Sequence, residues 1–398
     1  MDSVSLRDEL ADHLIARNAI TTQRVEQAFR QVQRARYLDR WYHASVEEGQ
    51  ITWQPVTLDH AHPSDEVLRE VYSDRPLVTQ LSGFVPSSSS SQPSLMARML
   101  ELLDLRPGMR ILEIGTGTGY NAALLSEIVG PHGLVVSLES QRDVARHASR
   151  VLACDERSNV HVRCRDGYRG DRAHQPFDRI VATVACFDFS PHWLEQLAED
   201  GFMLVPLRHG RTMSPLVIAH LDGRPDQLRG RIVGASGFMD PMGLLRTGSI
   251  WQSFLLPGWP YPELWRRPMP VDVGDEDDGR MTSPVMKNLR FFLALTSRHL
   301  WSTETGLGLA DPATGAAVLI EPSGLVGYGT DLATVNRVCD QLVTAIETWD
   351  RLGRPSMADF DLRFRRANQI DPGTMATCQW TICRSTYHEH VRLAESLP

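Results

Sequence analysis

The 398-residue sequence lacks the features that mark several large protein classes. No apolar run approaches the length of a membrane span. The start, Met1-Asp2-Ser3-Val4-Ser5-Leu6, has no basic region leading into an apolar core, as a secretory signal would. A cytoplasmic protein that does not engage membrane is therefore expected. Cysteine is scarce, with six residues at 154, 164, 186, 339, 378 and 383. None forms a CxxC pair or meets histidine at zinc-ligand spacing, so reduced thiols and no metal site are expected. A basic excess is missing too. The chain has 41 basic against 49 acidic side chains and a net charge of −8, which argues against a nucleic-acid partner. What remains, 42% hydrophobic and 23% charged residues, is the balance of a globular protein, long enough for two domains.

Hydrophobic periodicity orders the chain. Leu6, Leu10, Leu14 and Ile15, then Val25, Phe29 and Val32, recur at helical spacing, with Thr21 or Thr22 as cap of the second helix. A less regular stretch runs from about Tyr37 to Pro86. Ser87 to Ser91 is an unbroken serine run, which in isolation reads as a linker. From Leu95 onward strands alternate with helices. The strands are Arg110–Ile114, Leu134–Glu139, Val160–Cys164, Phe177–Ala182 and Phe202–Pro206. That rhythm implies a mostly parallel sheet with helices on both faces. Composition shifts after Leu244. A proline- and tryptophan-rich segment (257–270) and an acidic loop (275–279) precede a helix or mixed apolar element from Met286 to Leu300. A hairpin around Asp311–Gly315 and an amphipathic helix through Leu332, Val335, Val338, Leu342 and Ile346 follow. Three regions result: 1–86, 87–245 and an added α+β domain at 246–398.

The chemistry concentrates at Glu113-Ile114-Gly115-Thr116-Gly117-Thr118-Gly119, between a strand and a helix. Such a turn could hold NAD, FAD, a nucleotide or S-adenosylmethionine. A dinucleotide fingerprint needs its third glycine at position 120, which is Tyr120. No Lys-Ser/Thr follows, so a phosphate-binding P-loop is excluded. An acidic residue two before a G-x-G-x-G turn resembles the first motif of class I methyltransferases. Glycines let the backbone approach the amino-acid portion of a cofactor, where a Cβ would clash. Glu139, ending the next strand, is placed to accept bonds from both ribose hydroxyls. Asp166-Gly167, after the third strand, falls where that class has its adenine-binding turn. Thr116 and Ser140 complete the expected cofactor set, and S-adenosylmethionine, leaving as S-adenosylhomocysteine, is the implied cofactor.

Residues 20–245 resemble the protein-L-isoaspartate O-methyltransferases. The resemblance rests on Val25-Glu26-Gln27-Ala28-Phe29, Ala35-Arg36-Tyr37, Tyr72-Ser73-Asp74-Arg75-Pro76-Leu77, Ser91-Gln92-Pro93 and Met99-Leu100-Glu101-Leu102-Leu103. It continues through Phe177–Val181, Leu194–Ala198 and Gly237-Phe238-Met239-Asp240-Pro241-Met242. It implies a class I, Rossmann-like, mostly parallel doubly wound sheet with N-terminal helices, to which the C-terminal α+β domain is added. In that family the serine of Ser-Gln-Pro lies between methyl donor and acceptor carboxylate, which assigns Ser91 as the catalytic position. Ser89 and Ser90 stand where the family has threonine and an apolar residue, and are expected as further donors in the pocket.

The sequence also departs from that family. The usual Gly-x-Gly-Gln-Thr-Ile lead-in is replaced by Leu81-Ser82-Gly83-Phe84-Val85-Pro86 and the serine run. The 150-odd residues after Met242, where the last matching motif ends, exceed a minimal repair enzyme. Both features resemble methyltransferases that accompany lanthipeptides and graspetides. The expected reaction is thus methylation of an aspartate carboxylate in a ribosomally made, modified precursor peptide, followed by closure to a succinimide and often isoaspartate. Repair of isoaspartyl sites in proteins is the alternative, and a binding protein with weak catalysis is a third. The C-terminal domain, through the aromatic stretch Trp251 to Trp265, is expected to contact the peptide.

Overall fold

The computed structural model describes residues 3–47, 50–210, 214–223, 226–246, 261–271, 283–302, 306–321, 323–368 and 379–394. Trp251, the acidic stretch 275–279 and Cys378 lie outside the described residues. The chain divides into two compact units. The first comprises residues 1–185, 190–205 and 238–245, and the second 186–189, 206–237 and 246–398. The second unit therefore takes in residues 206–237, which the sequence boundary at 245 had placed in the core.

The first unit opens with α1 (Ser3–Ala16) and α2 (Gln23–Gln31). The Thr22 hydroxyl accepts from the Val25 amide at 3.5 Å, capping α2 as expected. The stretch that looked irregular is ordered: β1 (Arg40–Glu47), β2 (Gln50–Thr57), α3 (Asp65–Val71) and β3 (Leu77–Ser82) occupy it. The serine run is no linker, because it forms β4 (Val85–Ser90) at the edge of an antiparallel sheet ordered β2-β1-β3-β4. Pairing with β3 satisfies a polar strand that has no hydrophobic pattern of its own to announce it. Next comes α4 (Pro93–Leu102). Proline at its first position suits a helix start. Its cap comes from afar, since Asp74 Oδ1 accepts from the Ser94 amide at 2.8 Å. Gln92 Nε2 also donates to the Asp74 carbonyl at 3.2 Å. The two motifs quoted above, around Asp74 and Ser91-Gln92-Pro93, are therefore one structural element.

Five parallel strands follow: β5 (Arg110–Ile114), β6 (Leu134–Glu139), β7 (Val160–Cys164), β8 (Phe177–Ala182) and β9 (Leu197–Pro206), with α5 (Tyr120–Val129), α6 (Arg142–Cys154) and α7 (Pro191–Gln196) between them. Their spatial order is β7-β6-β5-β8-β9. The chain winds outward from β5 to β7, then returns to the other side of β5. This creates a topological switch at the carboxyl ends of β5 and β8, where open α/β sheets bind ligands. The sheet core is apolar and closed to solvent, with Ile111, Leu112, Val135, Val136 and Ile180 all at 0% exposure.

In the second unit, β10 (Ser214–Leu221) and β11 (Gln227–Ser236) precede β12 (Glu263–Arg267), α8 (Pro284–Thr296) and β13 (Leu300–Ser302). Then come β14 (Leu307–Asp311), β15 (Ala316–Glu321), β16 (Gly324–Tyr328), α9 (Leu332–Arg351), β17 (Phe360–Arg366), β18 (Trp380–Cys383) and β19 (Tyr387–Leu393). Strands β10, β11, β17, β19 and β18 pair antiparallel in that order, and β12-β16-β15-β14-β13 form a second antiparallel sheet. The helix or mixed element expected from Met286 to Leu300 is helical as α8, and the hairpin around Asp311–Gly315 and the helix through Leu332 to Ile346 are present as the β14–β15 turn and α9. Trp265 lies within β12 with the Arg267 guanidinium 4.2 Å from its ring centroid. A buried ionic cluster stands in this unit: Arg384 donates to Glu389 from Nε at 2.9 Å and Nη2 at 2.5 Å, and His209 Nε2 lies 2.9 Å from the same carboxylate. Among the described residues no helix is long and apolar enough to cross a membrane.

Candidate active site

The glycine turn sits at the carboxyl end of β5, beside the switch. All three glycines take positive φ, at 98°, 53° and 87° for Gly115, Gly117 and Gly119. Gly117 shows why. A Cβ there would stand 3.1 Å from the Ser89 carbonyl oxygen, so the backbone of β4 lies directly over the turn. At Gly115 the same atom would meet Thr183 Oγ1 at 2.8 Å, and Thr183 uses that hydroxyl to donate to the Gly115 carbonyl at 2.6 Å.

Glu113 is fully buried beneath the turn. It accepts from Asn121 Nδ2 at 2.7 Å and from Ser137 Oγ at 2.5 Å. Ser137 has a single proton, given to the carboxylate, so Thr116 Oγ1 at 2.6 Å donates to Ser137. Burial pushes the Glu113 carboxyl up to about 7 against the downward pull of these donors, and the nearby Glu139 adds to the rise. The chain Thr116–Ser137–Glu113–Asn121 thus ties the turn to β6 and to the first turn of α5.

Glu139 ends β6 with 7% exposure. Its Oε2 accepts from the Gly117 amide at 3.1 Å and its Oε1 from the Gln141 amide at 3.0 Å. Ser140 is exposed, and its hydroxyl reaches the same carboxylate only at 3.5 Å. Asp166 follows β7. It accepts from the Tyr168 amide at 2.9 Å through Oδ1 and from the Leu244 amide at 2.8 Å through Oδ2. The Leu244 backbone is thereby fastened to the Asp166-Gly167 turn. Gly167 is buried, where a Cβ would press on Ile114 at 2.5 Å.

The serine strand divides by side chain. Ser88 and Ser90 are buried, at 8% and 2%, whereas Ser87, Ser89 and Ser91 are partly open. Ser90 does not fit its expected role. Its hydroxyl accepts from Arg34 Nε at 3.2 Å, on the N-terminal segment. Arg34, at 0% exposure, was not singled out from the sequence. It also donates to the carbonyls of Val71, Ser73, Arg75, Ser90 and Ser91 at 2.9 to 3.4 Å. Burial lowers its pKa to about 10, still well above neutrality. Position 34 precedes Ala35-Arg36-Tyr37, but nothing in the residue type tells a buried arginine from a surface one. Gln141 was missed as well; its Nε2 donates to the Ser87 carbonyl at 2.8 Å while its amide holds Glu139. Among the described residues no group of three or more histidine, cysteine or acidic side chains could hold a metal ion.

A doubly wound sheet, a left-handed glycine turn over a buried glutamate and a carboxylate closing the next strand define a class I, S-adenosylmethionine-dependent methyltransferase. Comparison with known proteins narrows the class. Residues 57–224 match the family model of protein-L-isoaspartate(D-aspartate) O-methyltransferase. A Thermotoga maritima protein-L-isoaspartate O-methyltransferase is 45% identical over 140 residues, 35% of this chain and 44% of the relative. Relatives of the same name from Archaeoglobus fulgidus and Methanothermobacter thermautotrophicus are 37% and 33% identical, covering 41% and 46% of this chain and 71% and 80% of their own lengths. The chain belongs to the protein-L-isoaspartate O-methyltransferase family, a family of carboxyl methyltransferases. It spans less than half the length of the Thermotoga relative. A solved structure of a protein-L-isoaspartate O-methyltransferase, 24% identical, superposes with a TM-score of 0.55 over 98% of this chain and 100% of its own. The fold of that structure therefore runs the length of this chain.

Proposed function

We propose that this protein transfers a methyl group from S-adenosylmethionine to the free α-carboxylate of an isoaspartyl residue in a peptide or protein. In this reading Gly115, Thr116, Gly117 and Gly119 line the methionine portion of the cofactor. Glu139, with Ser140 beside it, takes the ribose hydroxyls on the lone pairs left by Gly117 and Gln141. Asp166-Gly167 borders the adenine, and Ser89 lines the methyl-transfer pocket. The observation that supports the reading is the seat of β4 against Gly117, so that the strand leading into Ser91 lies on the glycine turn.

The reaction asks little acid–base work of the chain. A carboxylate with a pKa near 4 is already ionised at neutral pH, so no general base is needed. Bound at the glycine turn, S-adenosylmethionine would supply the methyl group to one oxygen of the carboxylate and leave as neutral S-adenosylhomocysteine. Ser91 can donate to the acceptor carboxylate and hold it in line without the tight charge pairing of an arginine. The following backbone nitrogen then displaces methanol to give a succinimide.

A second reading has a specific support. The lead-in to Ser91 is a serine-rich hairpin instead of the family's glycine-rich segment, which favours a different acceptor: a normal aspartate in a ribosomally made, modified precursor peptide. Tritium-labelled S-adenosylmethionine offered to matched isoaspartyl and aspartyl peptides separates the two. Base-labile label on the isoaspartyl peptide supports the first reading, and label confined to the aspartyl peptide supports the second.

A further inference from the structure

The strand that leads into Ser91 rests on the cofactor side at two places, and both lead to one carboxylate. At the first, the Ser89 carbonyl oxygen sits over Gly117, where a Cβ would stand 3.1 Å from it. The Gly117 amide in turn donates to Glu139 Oε2 at 3.1 Å. At the second, Gln141 Nε2 donates to the Ser87 carbonyl at 2.8 Å, and the Gln141 amide donates to Glu139 Oε1 at 3.0 Å. Strands β4 and β6 belong to different sheets, so the Gln141 side chain supplies a link that strand pairing does not.

β4 has need of such a link. It is the edge strand of its sheet, and its register with β3 shifts twice, between Val78 and Gln80 and between Gln80 and Leu81. Irregular pairing of this kind breaks the ladder locally and lets the strand bend. Its partner β3 therefore fixes β4 less firmly than a regular ladder would.

Glu139 is where the cofactor enters the link. A carboxylate has about four lone-pair sites, and the amides of Gly117 and Gln141 fill two of them. Ribose hydroxyls fill the others only while the carboxylate faces the turn. A ligand favours the arrangement in which it makes more bonds. The cofactor thus stabilises the arrangement in which the Gln141 backbone is held, and with it the seat of Ser87.

We propose that Gln141 is a positioning residue that couples the cofactor to the acceptor strand: cofactor on Glu139 seats β4, and through it Ser91, by way of the Gln141 side chain. The inference rests on the reading of Glu139 as the ribose carboxylate and of Ser91 as the residue that orients the acceptor. Its consequence is that the acceptor site is complete only once the methyl donor is in place. Linkage makes the effect reciprocal, so a bound acceptor tightens the cofactor by the same factor.

Hydrogen exchange followed by mass spectrometry, on the full chain with and without saturating S-adenosylhomocysteine, tests the coupling. Wild type is compared with Gln141→Met, which keeps the length of the side chain without an N–H, and with Gln141→Lys, which keeps a donor. In wild type the ligand should slow exchange of the β4 amides about tenfold, within the usual range for linked sites. Gln141→Met should cut that effect to about twofold or less, and Gln141→Lys should retain most of it. Residues 115–119 should be protected alike in all three, because they line the cofactor directly. The proposal is overturned if the ligand leaves β4 exchange unchanged in wild type, or slows it as much in Gln141→Met. It is equally overturned if Gln141→Lys loses the effect as Gln141→Met does. Loss of protection at 115–119 together with β4 would place Gln141 in the cofactor site alone and overturn it too. No acceptor enters the experiment, so a failure to methylate isoaspartyl peptides would sink the substrate reading and leave the coupling intact.

Discussion

Replacing Arg34 with methionine keeps the length of the side chain and removes its guanidinium. Six bonds go with it, and three of the six acceptors lie deep inside: the Val71 carbonyl and both the hydroxyl and the carbonyl of Ser90. The carbonyls of Ser73, Arg75 and Ser91 are only part-buried and can turn to water. Each buried acceptor left unpaired costs about 1–3 kcal/mol. Part of this returns, because burying the guanidinium is itself unfavourable, as its depressed pKa of about 10 records. A net loss of about 2–4 kcal/mol remains, equivalent to roughly 5–15 °C in melting temperature for a unit of this size. Scanning calorimetry in the presence of S-adenosylhomocysteine measures it. Methyl transfer should fall further than cofactor affinity, since the strand that Arg34 fastens leads into Ser91 and Arg34 holds the Ser91 carbonyl itself. A variant that melts within about 2 °C of wild type and turns over normally would refute this account of how the serine strand is held.

Glu139→Gln keeps an acceptor for the Gly117 amide but removes the negative charge, and should weaken S-adenosylhomocysteine about 10- to 100-fold by calorimetry, as expected for charge-assisted bonds; unchanged affinity would place the ribose elsewhere. Ser91→Ala should slow methyl transfer at least tenfold with cofactor affinity intact, read from single-turnover rates on a bound acceptor peptide. For Glu113, the folded carboxyl stands at about 7 against an ordinary 4.5, so its contribution to stability is present below about pH 4.5 and is lost as pH rises through 7. Denaturant unfolding should therefore show wild type losing stability relative to Glu113→Gln between pH 5 and 8, and a difference that holds constant or runs the other way would contradict the burial argument.

Much of the catalytic unit was legible because its signals are local. Alternation of apolar strands with amphipathic helices located β5 to β8, and the G-x-G-x-G spacing located the turn. The second half of β9 was read in the same way. Its first residues, Leu197–Asp200, escaped because Glu199 and Asp200 interrupt the apolar run. What stayed hidden depends on long-range pairing. The strand Val85–Ser90 has serines where a strand shows alternation, and exists because β3 supplies its partner. The paired strands Arg40–Glu47 and Gln50–Thr57 carry Pro55 and two tryptophans, Trp41 and Trp53, which read as a loop. Ser90 was assigned to the pocket by its neighbours in the sequence, but strand alternation turns its hydroxyl to Arg34. The reach of the second unit into 206–237 was illegible for the same reason, because β11 pairs with β17, more than a hundred residues later.

Peptide carboxyl methylation is tested most directly by incubating the full chain with tritium-labelled S-adenosylmethionine and a nine-residue isoaspartyl peptide, then treating the product with base. The account predicts label on the peptide that depends on Glu139 and Ser91 and leaves as volatile methanol, with a succinimide as the peptide product. Label that survives base, or no transfer to isoaspartyl or aspartyl peptides by a protein that binds S-adenosylhomocysteine, would contradict it.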